Sequence, residues 1–400
     1  MIASSRFPIL AASILAVCVS AAEESTIAFD PYKHVIWIPV RVAGGPLLTF
    51  AFDSAAARSA IDWDRAEEQK LPFIALGERL NAGSGDGLAR IGRTGAVGLT
   101  MPGAALDLPA IGVVPLRQVS AVYGRRMDGV VGAELLAHYV VELDWEQRRM
   151  ALHEPSAYRY SGEGAVLPLV VAGGMPFIRL QLSVPGAPPV EGLFLVDCPH
   201  PGTIVVNRPF VEENQLLEAM RRDHRPLVTQ YTEGVNGKSE VLYSRIVELK
   251  MGPFSLHEPV AGFSRAKAGA LAQTEFAGIL GAEILRRFRL IFDFSRERLI
   301  LEPKAALTQP FRYDASGIRL RSPGGDLREF VVTGVVQNSP SAQAKLQEGD
   351  RLIEIDGRPA KTLSLGEILE ILKRDGSTQL LRIQRGDQLF DVSLVLRRLI

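Results

Sequence analysis

Cysteine is nearly missing from this chain. Only Cys18 and Cys198 occur among its 400 residues, and Cys18 falls in a stretch that reads as a removable leader. With one cysteine left, no internal disulfide can form and packing alone must hold the fold. A surplus of either charge is missing too: Lys plus Arg equals Asp plus Glu at 45 each. No block of like charge interrupts the balance, which excludes the usual electrostatic footprint of a nucleic-acid or anionic-membrane binder. Beyond the amino end, no stretch reaches the roughly 18 unbroken apolar residues of a membrane span. The six histidines are scattered and form no HExxH pattern, and no GxSxG elbow with partners occurs. No metal and no cofactor is therefore expected. What remains is an ordinary globular composition, 47% apolar and 22% charged, long enough for two or three domains.

The amino end, "MIASSRFPILAASILAVCVSAAEES", carries one Arg, an apolar run from Phe7 to Val19, then small residues. That is the layout of a secretory signal peptide over residues 1–21, with cleavage after Ala21 or Ala22. It implies an exported protein, periplasmic or secreted. A lipid anchor on Cys18 is disfavoured, because Val17 stands where a small Ala or Gly is expected.

An internal repeat governs the rest. "DGVVGAELLAHYVVELDWEQRRMAL" (128–152) aligns without gaps to "AGILGAEILRRFRLIFDFSRERLIL" (277–301). Upstream of each copy, an apolar run ends in an aspartate followed by small residues: "LTFAFDSAAARSAID" with Asp53 and "LFLVDCPHPGTIVVN" with Asp197. Asp53 precedes Gly132 by nearly the same distance as Asp197 precedes Gly281. Between them lie two glycine-broken stretches flanked by extended runs. "NAGSGDGLARIG" holds Gly83, Gly85 and Gly87, and "YTEGVNGKSEV" holds Gly234 and Gly237. Both read as mobile β-hairpins. An aspartate after a strand is commonly a turn former, and Asp144 and Asp293 read that way.

This arrangement resembles the retropepsin-like aspartic proteases, in the two-lobed form of pepsin-like members, over residues 30–303. The resemblance rests on Asp53-Ser54 with Val130-Val131-Gly132, and on Asp197 with Ile279-Leu280-Gly281. It implies a mainly β protein with lobes over 26–155 and 156–305. It also implies a catalytic pair, Asp53 and Asp197, under two hairpin flaps. Two facing carboxylates cannot both ionise cheaply, so one keeps a proton. The ionised partner can then take a proton from a trapped water while the other polarises a peptide carbonyl. Ser54, Ala55, Cys198, Pro199, Gly132 and Gly281 would support the loops. Here the chain departs from the family. Ala55 replaces the usual Gly, Cys198 is a poor hydrogen-bonding brace, and Pro199 lacks the N–H that would point at Asp197. Cys198 and His200 also invite a thiol nucleophile or a metal pair, but no third partner accompanies them.

From about residue 310 the pattern changes. Ser339-Pro340 opens a short helix. Ser364 and Glu367 form a capping box ahead of the stripe Leu365, Ile368, Leu369, Leu372. "SPSAQAKLQEGDRLIEIDG" resembles a PDZ domain, a small α+β module expected over 310–400. Such a module takes an extended peptide on an open sheet edge beside a helix. The edge is expected at Phe330, Val331 and Val332, the helix face at Leu365 and Leu369, and the terminal-carboxylate loop at Leu327, Arg328 and Glu329. The expected partners are peptide or protein substrates, and protein carboxyl ends or exposed strands at the PDZ module. The expected activity is that of an exported aspartic endopeptidase. The competing expectation is a two-lobed peptide-binding protein whose pair no longer cuts.

Overall fold

The computed structural model describes residues 25–79 and 85–400. The leader expected over residues 1–21, with Cys18, and Gly83 lie outside them. The protein is mainly β. Among the described residues no helix is long and apolar enough to cross a membrane.

Two nine-stranded paths lie within residues 37–281, and their strand orders match position for position. In the first, the strand Leu47–Phe52 lies between Trp37–Val42 and Gly129–Val131. In the second, Val190–Asp197 lies between Met175–Ser183 and Gly278–Gly281. The glycine strand runs parallel to the aspartate strand in both, with Val131 opposite Phe52 and Gly281 opposite Asp197. Central strands are covered on both faces, which is why "LTFAF" and "LFLV" are near-continuous apolar runs rather than alternating ones. Phe50, Ala51, Phe52, Phe194 and Val196 are fully buried.

A six-stranded sheet joins the two halves. Ser25–Ala28, Arg149–His153 and Val140–Asp144 come from the first, and Phe288–Asp293, Arg298–Pro303 and Ala165–Pro168 from the second. Val140–Asp144 and Phe288–Asp293 meet antiparallel at its centre. Ion pairs cross the seam there: Arg289 holds Glu142, and Lys304 Nζ lies 2.7 Å from Asp144. Burial pushes Glu142 up, but the nearby His153 ring and the hydrogen bonds from Tyr158 and Arg289 outweigh it and hold the carboxyl at about 2. Asp144 also accepts the N–H groups of Glu146 and Gln147, and Asp293 accepts from Ser295, Arg296 and Arg298. Both close the hairpin turns that follow them.

The carboxyl-terminal module has its own core, including Phe330, Val332, Leu352, Ile368, Leu381 and Ile383. Ser339 caps Pro340–Gln343 through the Ala342 N–H, and the Ser364–Glu367 box caps Leu365–Leu372. Its sheet corrects the sequence-based expectation. Phe330–Val335 is an interior strand, paired with Arg351–Ile355 on one side and with Ile318–Arg321 on the other. Its backbone is spent within the sheet, and Phe330 and Val332 face the core. Phe330, Val331 and Val332 therefore offer no free edge. The open edge beside the helix is the four-residue strand Ile318–Arg321, joined to the helix end by Ala315 N–H to Leu372 O, 3.0 Å. The carboxylate-loop expectation moves with it. Leu327 to Glu329 lead into an interior strand, and Arg328 instead donates to Leu363 O.

The buried Arg287 guanidinium fixes the link between the second half and this module. It donates to Ala306, Leu307 and Gln309 carbonyls and lies 3.7 Å from the Phe311 ring centre.

Candidate active site

Each aspartate strand delivers its carboxylate to a loop that folds back over the neighbouring glycine. A Cβ on Gly132 would come within 2.6–2.7 Å of the Arg58, Ala56 and Ser59 backbones, and one on Gly281 within 2.5 Å of the His200 ring. Only glycine permits that approach. The Gly132 N–H donates to Ser59 Oγ, which in turn donates to Glu134. Gly132→Ala is expected to destabilise by roughly 1–3 kcal/mol through overpacking against backbone that cannot retreat. A lowered urea midpoint checks this, and an unchanged midpoint contradicts it.

The two loops bind their carboxylates unequally. Asp53 Oδ1 accepts two backbone N–H groups, from Ala55 and Ala56, each at 3.0 Å. Asp197 Oδ1 accepts one, from His200 at 3.0 Å, because Pro199 has no N–H to give. Ser54 ties the halves together. Its buried hydroxyl donates to Val196 O at 2.6 Å and accepts the Cys198 N–H at 3.0 Å. Those are the residues on either side of Asp197, so one hydroxyl holds the two aspartate loops in register. Burial raises the pKa of both carboxyls. Asp53's negative charge raises Asp197 further, while the Ala55 and Ala56 N–H groups restrain Asp53. Two N–H donors against one favour the charge on Asp53 and the proton on Asp197.

Burial keeps the Cys198 thiol protonated and His200 neutral, with His200 lowered to about 4. Neither a thiolate nor an imidazolium is available from that pair. Among the described residues no cluster of His, Cys, Asp and Glu could hold a metal ion.

Three residues at the site carried no signal in the sequence reading. Tyr123 ends the helix Arg117–Tyr123, and its hydroxyl donates to Pro199 O at 2.8 Å across the halves. Burial and then the charges of Asp197 and Asp53 push its phenol far up, so it stays a donor beside the carboxylates. Asn236 sits at the turn between Val228–Gly234 and Gly237–Arg245. Its side chain donates to Arg79 O and Gly87 O, and its backbone carbonyl accepts the Gly87 N–H. Asp86 accepts from Ser239 Oγ and from the Lys267 N–H. The hairpin Phe73–Arg79/Ala89–Thr94 is thereby tied to the second hairpin. Gly85 touches the Asn236 backbone so closely that a Cβ there would overlap it. Val235, at the second tip, packs against the cluster that holds Trp37, as Tyr123 does. Gly234 and Gly237 pair with each other at the base of that tip, Gly237 at φ +88°.

Comparison with known proteins bears on the carboxyl-terminal module. A PDZ-domain family model matches residues 331–385. Residues 331–385 form a PDZ domain. A solved structure titled as the HtrA3 PDZ domain bound to a phage-derived ligand (FGRWV) is 28% identical, covering 21% of this chain and 84% of that one, with a TM-score of 0.19. No curated protein matches the chain. Within the PDZ domain, Leu365 is fully buried and Leu369 half-buried, on the helix beside the edge strand.

Proposed function

We propose that this protein is an aspartic-type endopeptidase of the retropepsin-like kind, with two fused lobes and a PDZ domain that binds extended peptides. The observation that carries this reading is the Ser54 tie. It brings two half-buried, strand-ending aspartates from matching halves close enough that the charge of one raises the pKa of the other, so that only one ionises cheaply. In the mechanism, Asp53, charged and held by two N–H groups, takes a proton from a water whose oxygen bonds to the peptide carbonyl carbon while protonated Asp197 gives its proton to the carbonyl oxygen. Asp53 then passes its proton to the peptide nitrogen, the C–N bond breaks to release the amine, and the adduct's hydroxyl returns a proton to Asp197 as the carboxylic acid forms. The paired hairpins cover the peptide and exclude bulk water. Tyr123 adds a neutral donor aimed at the second loop. The leader supports an exported location, periplasmic or secreted, as part of the same proposal.

A second reading is favoured by Pro199. With only one backbone N–H on Asp197, the pair could hold a peptide without cutting it. A peptide library incubated with the full chain across pH decides between them. Cleavage is expected within a bell-shaped window that needs one proton on the pair. Because both carboxyls are raised, the window sits above the ordinary carboxylate range. Acid adds the second proton and alkali removes the last, so rates fall on both sides. Peptide retained at all pH values but never cut would establish the binding protein instead. Pro199→Gly is expected to raise kcat/KM about tenfold, the worth of one N–H to a charged acceptor made in the transition state. A decrease would show that proline's rigidity matters more than the missing donor.

A further inference from the structure

The PDZ groove lies against the first half of the chain. Its two walls are the edge strand Ile318–Arg321 and the helix Leu365–Leu372, and the first lobe reaches both. Just beyond the strand, the Ser322 N–H donates to Ala121 O at 2.8 Å, as an added peptide strand would accept it. Gly124, two residues past Val122, lies against Leu365, where a Cβ would sit 2.5 Å from the Leu365 Cβ. On the same helix the Gly366 N–H donates to Tyr32 Oη at 2.9 Å. Lys33 Nζ then donates to Val122 O at 3.0 Å, buttressing the segment from behind.

That segment is the end of the helix Arg117–Tyr123, whose last side chain donates to Pro199 O in the second aspartate loop. The helix also packs on the hairpin strand Val228–Gly234. One short element thus touches the PDZ edge, a hairpin and the dyad loop through Pro199 O.

We propose that Ala121–Gly124 occupies the PDZ groove as an internal ligand, and that an extended peptide entering the groove displaces it and withdraws Tyr123 from the carboxylates. The occupant exchanged for the lobe segment is a peptide chain, pairing with the N–H and C=O groups of Ile318–Ser322. The docked arrangement reports a closed enzyme, and peptide on the PDZ domain reports substrate present. The release of Tyr123 matters for catalysis only if the endopeptidase reading holds, whereas the exchange of occupants does not depend on it.

The test reads hydrogen exchange in the full chain carrying Asp53→Asn, so that added peptide is not consumed. The probe is a pool of random decapeptides with free carboxyl ends. Amides of 318–322 are expected to gain protection while those of 117–124 lose it, over the same peptide concentrations. Tyr32→Ala removes a docking contact from the lobe side and leaves the PDZ domain chemically intact. It is expected to speed exchange at 117–124 without peptide and to tighten pool binding about tenfold, because less of the chain is held in the closed form. Protection of 318–322 with 117–124 unchanged would overturn the proposal. So would equal peptide binding by both chains, or no protection of 318–322 in either. Since cleavage is not read, failure of the endopeptidase reading leaves these outcomes intact.

Discussion

Asp53→Asn or Asp197→Asn is expected to lower peptide cleavage by about 10²–10⁴-fold each, the usual contribution of a positioned general acid or base. The two losses should not add, since either amide breaks the single-proton pair on which both roles depend. At Asp53 the amide cannot take a proton from water. At Asp197 it removes the acid whose proton is held there by burial and by the charge of its partner. The measurement is kcat/KM on one cleaved peptide for the wild type and both variants. Cleavage that survives either change would place the activity elsewhere in the molecule. The same variants carry a stability signature. Both carboxyls have raised folded-state pKa values. Their contribution is therefore complete below the unfolded carboxylate range and is lost as pH rises through the folded values. Thermal midpoints of the wild type should fall over that interval, and the Asn variants should show a flatter profile. A variant profile parallel to the wild type would mean the pair is not buried as described.

Ser54→Ala is expected to cost roughly 2–5 kcal/mol. Removing this hydroxyl strands two buried backbone groups at once, the Val196 carbonyl and the Cys198 N–H, and each carries a desolvation penalty of about 1–3 kcal/mol. Nothing nearby can substitute. Cys198 lies in the matching loop position, fully buried, and a thiol is a weak donor and acceptor. In a fold with a hydroxyl on both loops the tie would be doubled. Here a single serine carries it, so its loss should loosen the two halves against each other. Denaturant midpoints and cleavage rate should drop together in Ser54→Ala and recover in Ser54→Thr, which restores the hydroxyl. Unchanged stability in the alanine variant would show that the tie is dispensable.

The places where sequence reasoning succeeded share a cause. Asp144, Asp293, the Ser339 cap and the Ser364–Glu367 box are local: each side chain hydrogen-bonds a group within five residues, so the pattern that reveals it is also the contact that forms it. The strand-ending positions of Asp53 and Asp197 were readable for a related reason. A central strand covered on both faces leaves an unbroken apolar run, and a polar end to such a run stands out. The PDZ edge failed because alternation in Phe330–Val335 records burial of one face, not whether a further strand pairs alongside. Its neighbour Ile318–Arg321 is only four residues long, too short to stand out from a loop.

The sequence by itself determined the duplication of the apolar and glycine pattern, the two carboxylates at the ends of buried runs, the missing N–H at Pro199 and the capped helices of the PDZ domain. These follow from residue chemistry and short-range geometry. The tertiary structure alone decided that Ser54 serves both loops, that Tyr123 donates to the second aspartate loop, that Asn236 ties one hairpin to the other, and that the first half of the chain meets the PDZ helix and the residue beyond its edge strand. Each of those joins residues from 76 to more than 300 positions apart. Contacts over such separations impose no period and no spacing on the chain. They arise only when strand order and sheet packing bring distant backbone groups together and buried polarity requires each of them to find a partner.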